Sequence, residues 1–193
     1  MSLPRLFGTT VATVPDRVPY LTAPPDRLDP WADRLASSPR PRIGVVWGGN
    51  PGHDNETNRS MPARHLNPLL SAETGSVFAL QVDGDPALRF GLDESRLADL
   101  APHLTDFAET AAVVTNLDLV ISVDTAVAHL AGALGRPVWL LLPHVPEWRW
   151  MLDRDASPWY PTMRLFRQRA PGDWHDVIDR VARALPRFRA SMP

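Results

Sequence analysis

The chain has no cysteine, and none of its 20 basic residues is lysine. Without thiols it can build neither a disulfide framework nor a thiolate metal site, and its sequence carries no mark of a redox compartment. Without lysine, every contact that needs a fixed cation falls to arginine, whose planar fork makes bidentate contacts with phosphate or carboxylate. The lysine gap, set beside 21 prolines and abundant alanine, matches the coding bias of a GC-rich genome. A continuous apolar run approaching the roughly 20 residues of a membrane span is also missing. The opening MSLPRLFGTT lacks the basic-then-apolar plan of a secretory signal, so a cytoplasmic protein is the expectation. A basic excess is absent too: the net charge of −2 argues against nucleic acid or an anionic membrane as partner. What is present, 193 residues of which 44% are hydrophobic, suits one domain with a single buried core.

From Ile43 onward strand and helix patterns alternate. Strands are expected at Ile43–Trp47, Val77–Gln81, Leu97–Leu100, Leu119–Val123, Val138–Leu142 and Arg164–Phe166, and helices at Ala63–Ser71, Phe107–Asn116, Thr125–Leu134 and Trp174–Leu185. The strands are short and apolar throughout, as in a parallel sheet covered on both faces, which predicts an α/β, doubly wound, Rossmann-like domain over 42–193. Residues 1–41 differ, with Pro4, Pro15, Pro19, Pro24, Pro25, Pro30, Pro39 and Pro41 interrupting them. They read as a proline-rich linker with a short strand at Val18–Leu21 and a short helix at Arg27–Leu35. No internal repeat is visible.

Chemistry-bearing residues gather at expected strand ends. In Leu119–Leu142, a β-branched run leads to Asp124, placed as an N-cap, and then to a small-residue helix ending at Gly135. Thr125 and His129, four residues apart, share one helical face beside that N-terminus, where free N–H groups and a positive dipole end attract anions. The plainer alternatives are a simple cap and a structural histidine. After the first strand, Gly48-Gly49-Asn50-Pro51-Gly52 offers backbone N–H groups that can approach a phosphate or sugar, or forms an ordinary turn. Asn55, Asn58, Arg59 and Ser60 follow it. Gln81 closes the second strand at the same sheet edge. Asp83-Gly84-Asp85 imitates a metal-binding D-x-D, but Asp-Gly followed by Asp-Pro is turn composition, and no metal is expected. Asp153-Arg154-Asp155 reads as a charged loop. His53, His65, His103 and His175 lack paired metal spacing. The long loop His144–Pro161 holds Trp148, Trp150, Trp159 and Tyr160, which either stack a ring or cover the sheet edge. Trp150 and Trp159 are expected in the core, and Glu147 and Arg149 toward a ligand.

Three stretches carry a family resemblance: S-x-D-T-x-x-x-H-L-A-x-A-L-G-x-P from Ser122 to Pro137, WGGNPGHDNETNRSMP from Trp47 to Pro62, and PEWRWMLDRDASPWYPTMRLFRQ from Pro146 to Gln168. On these motifs the chain resembles the donor-binding, C-terminal half of GT-B glycosyltransferases of the heptosyltransferase (family 9) type, including relatives found behind tetratricopeptide repeats in bacteria. The resemblance covers about Arg42 to Leu185. It departs at Ala126, where many heptosyltransferases have glycine.

The resemblance implies a nucleotide-diphosphate sugar as donor substrate, with no metal. The implied binding residues are Gly49, Asn50, Arg59, Ser60, Gln81, Asp124, Thr125, Ala126, His129 and Glu147. Arg59 stands where heptosyltransferases tend to carry a phosphate-facing lysine, and with His129 it would stabilise the leaving diphosphate. The catalytic base belongs to the opposite half in such enzymes, so the chain is expected to work with an acceptor-side domain or a tetratricopeptide-repeat partner, and homo-oligomers are possible. The competing expectation is a non-catalytic nucleotide-sugar or anion-binding module acting with a partner chain. A Rossmann oxidoreductase is disfavoured, because Gly44-Val45-Val46-Trp47-Gly48-Gly49 lacks the G-x-G-x-x-G spacing and the helix that should follow.

Overall fold

The computed structural model describes residues 3–71, 74–82 and 84–192. Six parallel strands, β1 (Arg42–Val46), β2 (Ser76–Ala79), β3 (Leu97–Asp99), β4 (Leu119–Val123), β5 (Val138–Leu142) and β6 (Met163–Arg167), lie in the order β3-β2-β1-β4-β5-β6. The chain builds outward from β1 to β3, then returns to the other side of β1 and builds outward again. The turning point lies between β1 and β4, whose register pairs Val45 with Ile121. In open α/β sheets, the crevice at the carboxyl ends of such a strand pair is where ligands bind.

Four longer helices cover the two faces: α1 (Pro25–Leu35), α2 (Phe107–Thr115), α3 (Ala126–Ala133) and α4 (Trp174–Ala190). The first three share one core with Val120, Val138, Leu140 and Leu142. A 3₁₀ run at Ala63–Leu69 and α4 share the other with Leu119, Ile121, Trp139 and Leu141. Alternate residues of β4 and β5 therefore enter opposite cores, which is why these strands are apolar without a break.

Several boundaries differ from the sequence pattern. The helix expected at Ala63–Ser71 is 3₁₀ and ends at Leu69; Pro68 inside it brings no N–H to an α-helical ladder. Val18–Leu21 forms no strand. Its N–H groups at Tyr20 and Leu21 instead both reach the carbonyl of Ala133 (2.9 and 3.2 Å), at the C-terminal end of α3. α4 continues through Pro186 to Ala190. In the proline-rich segment, α1 buries Trp31 and Leu35. The indole of Trp31 donates to Glu109 on α2 (2.7 Å). No helix among the described residues is long and apolar enough to cross a membrane.

Candidate functional site

The carboxyl ends of β1 and β4 open onto two chambers of ≈ 410 and ≈ 830 Å³ that share Arg59, Thr125 and Ala126. The smaller reaches Gly49, Asn50, Gln81 and the Leu104–Phe107 loop. The larger reaches Asp124, His129, Glu147 and Arg149. Shared lining makes them one cleft, divided at the start of α3.

Thr125, not Asp124, occupies the N-cap of α3. The Asp124 carboxylate is taken by another donor, accepting from the indole N–H of Trp150 (2.9 Å). The Thr125 hydroxyl pairs with that of Ser122 (2.9 Å), so no side chain caps the helix. The first N–H groups of α3, beginning with Ala126, thus end in the cleft with the positive end of the helix dipole.

His129 stands one turn further on. Its Nδ1 is 3.0 Å from the Tyr160 hydroxyl, its ring stacks on Trp150 with centroids 5.2 Å apart, and its Nε2 lies 3.6 Å from Asp124 Oδ1, long for a hydrogen bond. Burial pushes the Asp124 carboxyl up, but His129 and the Trp150 indole outweigh it and hold the carboxyl below its ordinary range. Burial, with the neighbouring Tyr20 hydroxyl adding to it, pushes the Tyr160 phenol well above its ordinary value, so it stays protonated. Tyr160 lies against α3 because residue 132 is glycine: a Cβ there would sit 2.6 Å from the Tyr160 ring.

On the β1 side, Glu56 organises the loop. The N–H of Gly49 donates to Glu56 Oε1 (2.6 Å) and lies 3.1 Å from Ser60 Oγ; the Ser60 hydroxyl and the Arg59 Nε (2.6 Å) also donate to Glu56. Burial pushes Glu56 up, but Ser60, Arg59 and the Gly49 N–H hold it below the ordinary carboxylate range. A Cβ at position 49 would collide with Arg59 Nη2, so the absence of a side chain there seats the guanidinium. Gln81 accepts from the N–H groups of Trp47 (3.0 Å) and Gly48 (2.9 Å) and donates to the Gly48 carbonyl. The Asn50 side chain accepts from Gly52 (2.9 Å). The N–H groups of Gly48 and Gly49, offered to a ligand by the sequence pattern, are therefore bound to the chain's own side chains, as is that of Trp47, and Arg59, paired with Glu56 through its Nε, lines the cleft.

The structure brings all ten sequence-predicted residues to this strand edge, nine lining the cleft and Ser60 just beneath it. Glu56, Tyr160 and the Leu104–Phe107 wall were not among them. Glu56 precedes Arg59 by three residues, a helical pairing visible in the sequence; the tertiary contacts of Tyr160 leave no such local trace. Trp150 is wholly buried, Trp159 is half-buried, and Trp148 projects into solvent. Of Asp83-Gly84-Asp85, Asp83 lies outside the described residues. Among the described residues no group of three or more His, Asp or Glu is placed to hold a metal ion.

A parallel sheet reversing at β1/β4, with an uncapped helix N-terminus and a held arginine at the reversal, defines a doubly wound, Rossmann-like α/β domain. The model of glycosyltransferase family 9 (heptosyltransferase) matches residues 87–144, so this part of the chain is similar to that family. The fold aligns with E. coli ADP-heptose LPS heptosyltransferase II at a TM-score of 0.63 and 19% identity, over 93% of this chain and 56% of that one. It aligns with E. coli heptosyltransferase WaaC with ADP at 0.55 and 17% identity, over 92% and 53%. Protein FlbA of Caulobacter vibrioides is 31% identical over 98% of this chain, which spans 32% of FlbA. The chain thus spans about half of the solved heptosyltransferases and a third of the curated relative.

Proposed function

We propose that this domain holds the donor of a sugar-transfer reaction, a nucleotide-diphosphate sugar, for attack by an acceptor presented from a second half. The observation that carries this is the uncapped N-terminus of α3 facing a cleft to which Arg59 also contributes, two anion-stabilising groups at one switch point. The nucleoside occupies the ≈ 410 Å³ chamber, the diphosphate lies along Ala126 and Arg59, and the sugar enters the ≈ 830 Å³ chamber. There Asp124 and Glu147 accept from sugar hydroxyls. When the bond between the anomeric carbon and the diphosphate oxygen breaks, Arg59, the helix dipole and His129 stabilise the negative charge left on the diphosphate. These groups do the work that a divalent cation does elsewhere, so the donor is held without metal. The base that takes the acceptor proton is assigned to the second half.

Calorimetry of the chain against a panel of nucleoside diphosphates, ADP first, with and without EDTA, tests this. Binding that survives chelation supports the proposal. Binding lost on chelation would overturn the metal-free part, and no binding by any diphosphate would overturn the donor site itself.

A further inference from the structure

A third chamber, ≈ 190 Å³, opens beside the cleft. We propose that it is a subsite for one pyranose ring of the acceptor. It shares His129 and Arg149 with the ≈ 830 Å³ chamber and no residue with the ≈ 410 Å³ chamber, so it lies beyond His129, at the opposite end from the nucleoside. A ring seated there accompanies the donor rather than displacing it. The acceptor assignment rests on the donor reading above; the saccharide chemistry does not.

The walls have the two-sided character of a sugar. Trp148 and Trp159 meet nearly at right angles (85°, centroids 6.3 Å apart), so one indole face and one indole edge form an apolar corner for the C–H face of a pyranose. The corner is built and held. Trp159 Nε1 donates to the Arg149 carbonyl (3.1 Å), and the N–H groups of Trp159 and Tyr160 donate to Ser157 Oγ (3.1 and 3.3 Å). Trp148 is nonetheless 59% exposed, a large apolar surface left in water beside a cavity. Hydroxyl partners come from Tyr20 and Tyr160, whose oxygens lie 3.4 Å apart, and the Arg149 guanidinium sits over the Trp148 ring, 5.7 Å from its centroid.

Size and charge narrow the occupant. The volume falls below the roughly 300 Å³ at which drug-sized sites begin, which suits a single ring and not a nucleoside. Arg149 is paired with Glu147 at 3.3 Å, which offsets its charge, and a neutral saccharide is the expected occupant.

The test is ¹⁹F NMR of the full chain carrying 5-fluorotryptophan, with the Trp148 and Trp159 signals assigned through Trp148→Phe and Trp159→Phe. It is titrated with methyl hexopyranosides and methyl N-acetylhexosaminides in the presence and absence of ADP. The expected result is that at least one pyranoside shifts these two of the seven tryptophan signals, that ADP leaves the shift in place, and that Trp148→Ala weakens the response at least tenfold. Trp148 is a surface residue, so this variant keeps its fold, which the remaining signals report. If no pyranoside moves the Trp148 and Trp159 signals, or if Trp148→Ala binds as before, the saccharide subsite is wrong. If ADP competes with the pyranoside, the ring belongs to the donor and the acceptor assignment falls. If pyranosides bind here while no nucleoside diphosphate binds anywhere, the donor proposal fails and the saccharide site stands.

Discussion

Glu56 Oε2 accepts from Arg59 Nε at 2.6 Å, with both side chains largely shielded from solvent (13% and 17% exposed). The pair uses one edge of the guanidinium and leaves its terminal nitrogens for the cleft. Arg59→Ala is expected to weaken nucleoside diphosphate binding by about 1–3 kcal/mol, the worth of a charge-assisted contact. Glu56→Gln keeps an oxygen near Arg59 but removes the charge that aims it, and should weaken binding by a smaller amount in the same direction. A double-mutant cycle measured by calorimetry will show strong non-additivity if Glu56 acts through Arg59. Additive losses would separate the two residues.

His129 and His175 provide an internal control. His129 lines the cleft, while His175 sits in the first turn of α4, largely exposed, with Asp179 at 3.5 Å. His129→Ala should reduce nucleotide-sugar affinity by several-fold and His175→Ala should not. Equal effects in the same binding assay would place the ligand elsewhere.

Gly132→Ala places a methyl carbon 2.6 Å from the Tyr160 ring. Overpacking of this kind costs about 1–3 kcal/mol. Thermal denaturation should show that loss, and restoring space with a second change, Tyr160→Leu, should recover part of it. A stable Gly132→Ala single variant would mean that Tyr160 moves freely.

Asp118 is buried, accepting from the Arg42 N–H (2.7 Å) and the Arg40 guanidinium at the start of β1. Burial pushes its carboxyl up, yet the bonds from Arg40 and Arg42 hold it below the ordinary range. A folded-state value below the unfolded one contributes stability fully above the unfolded value, near pH 4. That contribution is lost as pH falls through the depressed folded value. Urea unfolding between about pH 5 and 2 should therefore show a steeper fall for the wild type than for Asp118→Asn, which is less stable at neutral pH.

The sheet was legible because β4 and β5 bury both faces and leave an uninterrupted apolar run, and because Gly135 stops α3 where a helix should end. Local chemistry misled at Asp124. Its position before a small-residue helix fits a cap, but the competing donor, the indole of Trp150, lies 26 residues away in sequence. The glycine-rich loop after β1 misled for a similar reason: an open backbone N–H donates to any acceptor, and Glu56 and Gln81 reach it before a ligand does. Arg59 and His129 both line the cleft, His129 one helical turn beyond the end of β4 and Arg59 at the end of the loop and short helix that follow β1. Tyr160 could not be placed from sequence, because its seat depends on a missing side chain at Gly132, one helical turn from the histidine it contacts.

The burial of Trp31 and Leu35 bears on where the protein can be cut. Trimming it to the strand-helix portion that begins at β1 would look natural on a diagram and would strip a lid from α2. The shorter product would present an apolar stripe around Ala112 and Leu104 and leave Glu109 without its indole partner. Such a product is expected to aggregate on expression, whereas one that keeps α1 should not.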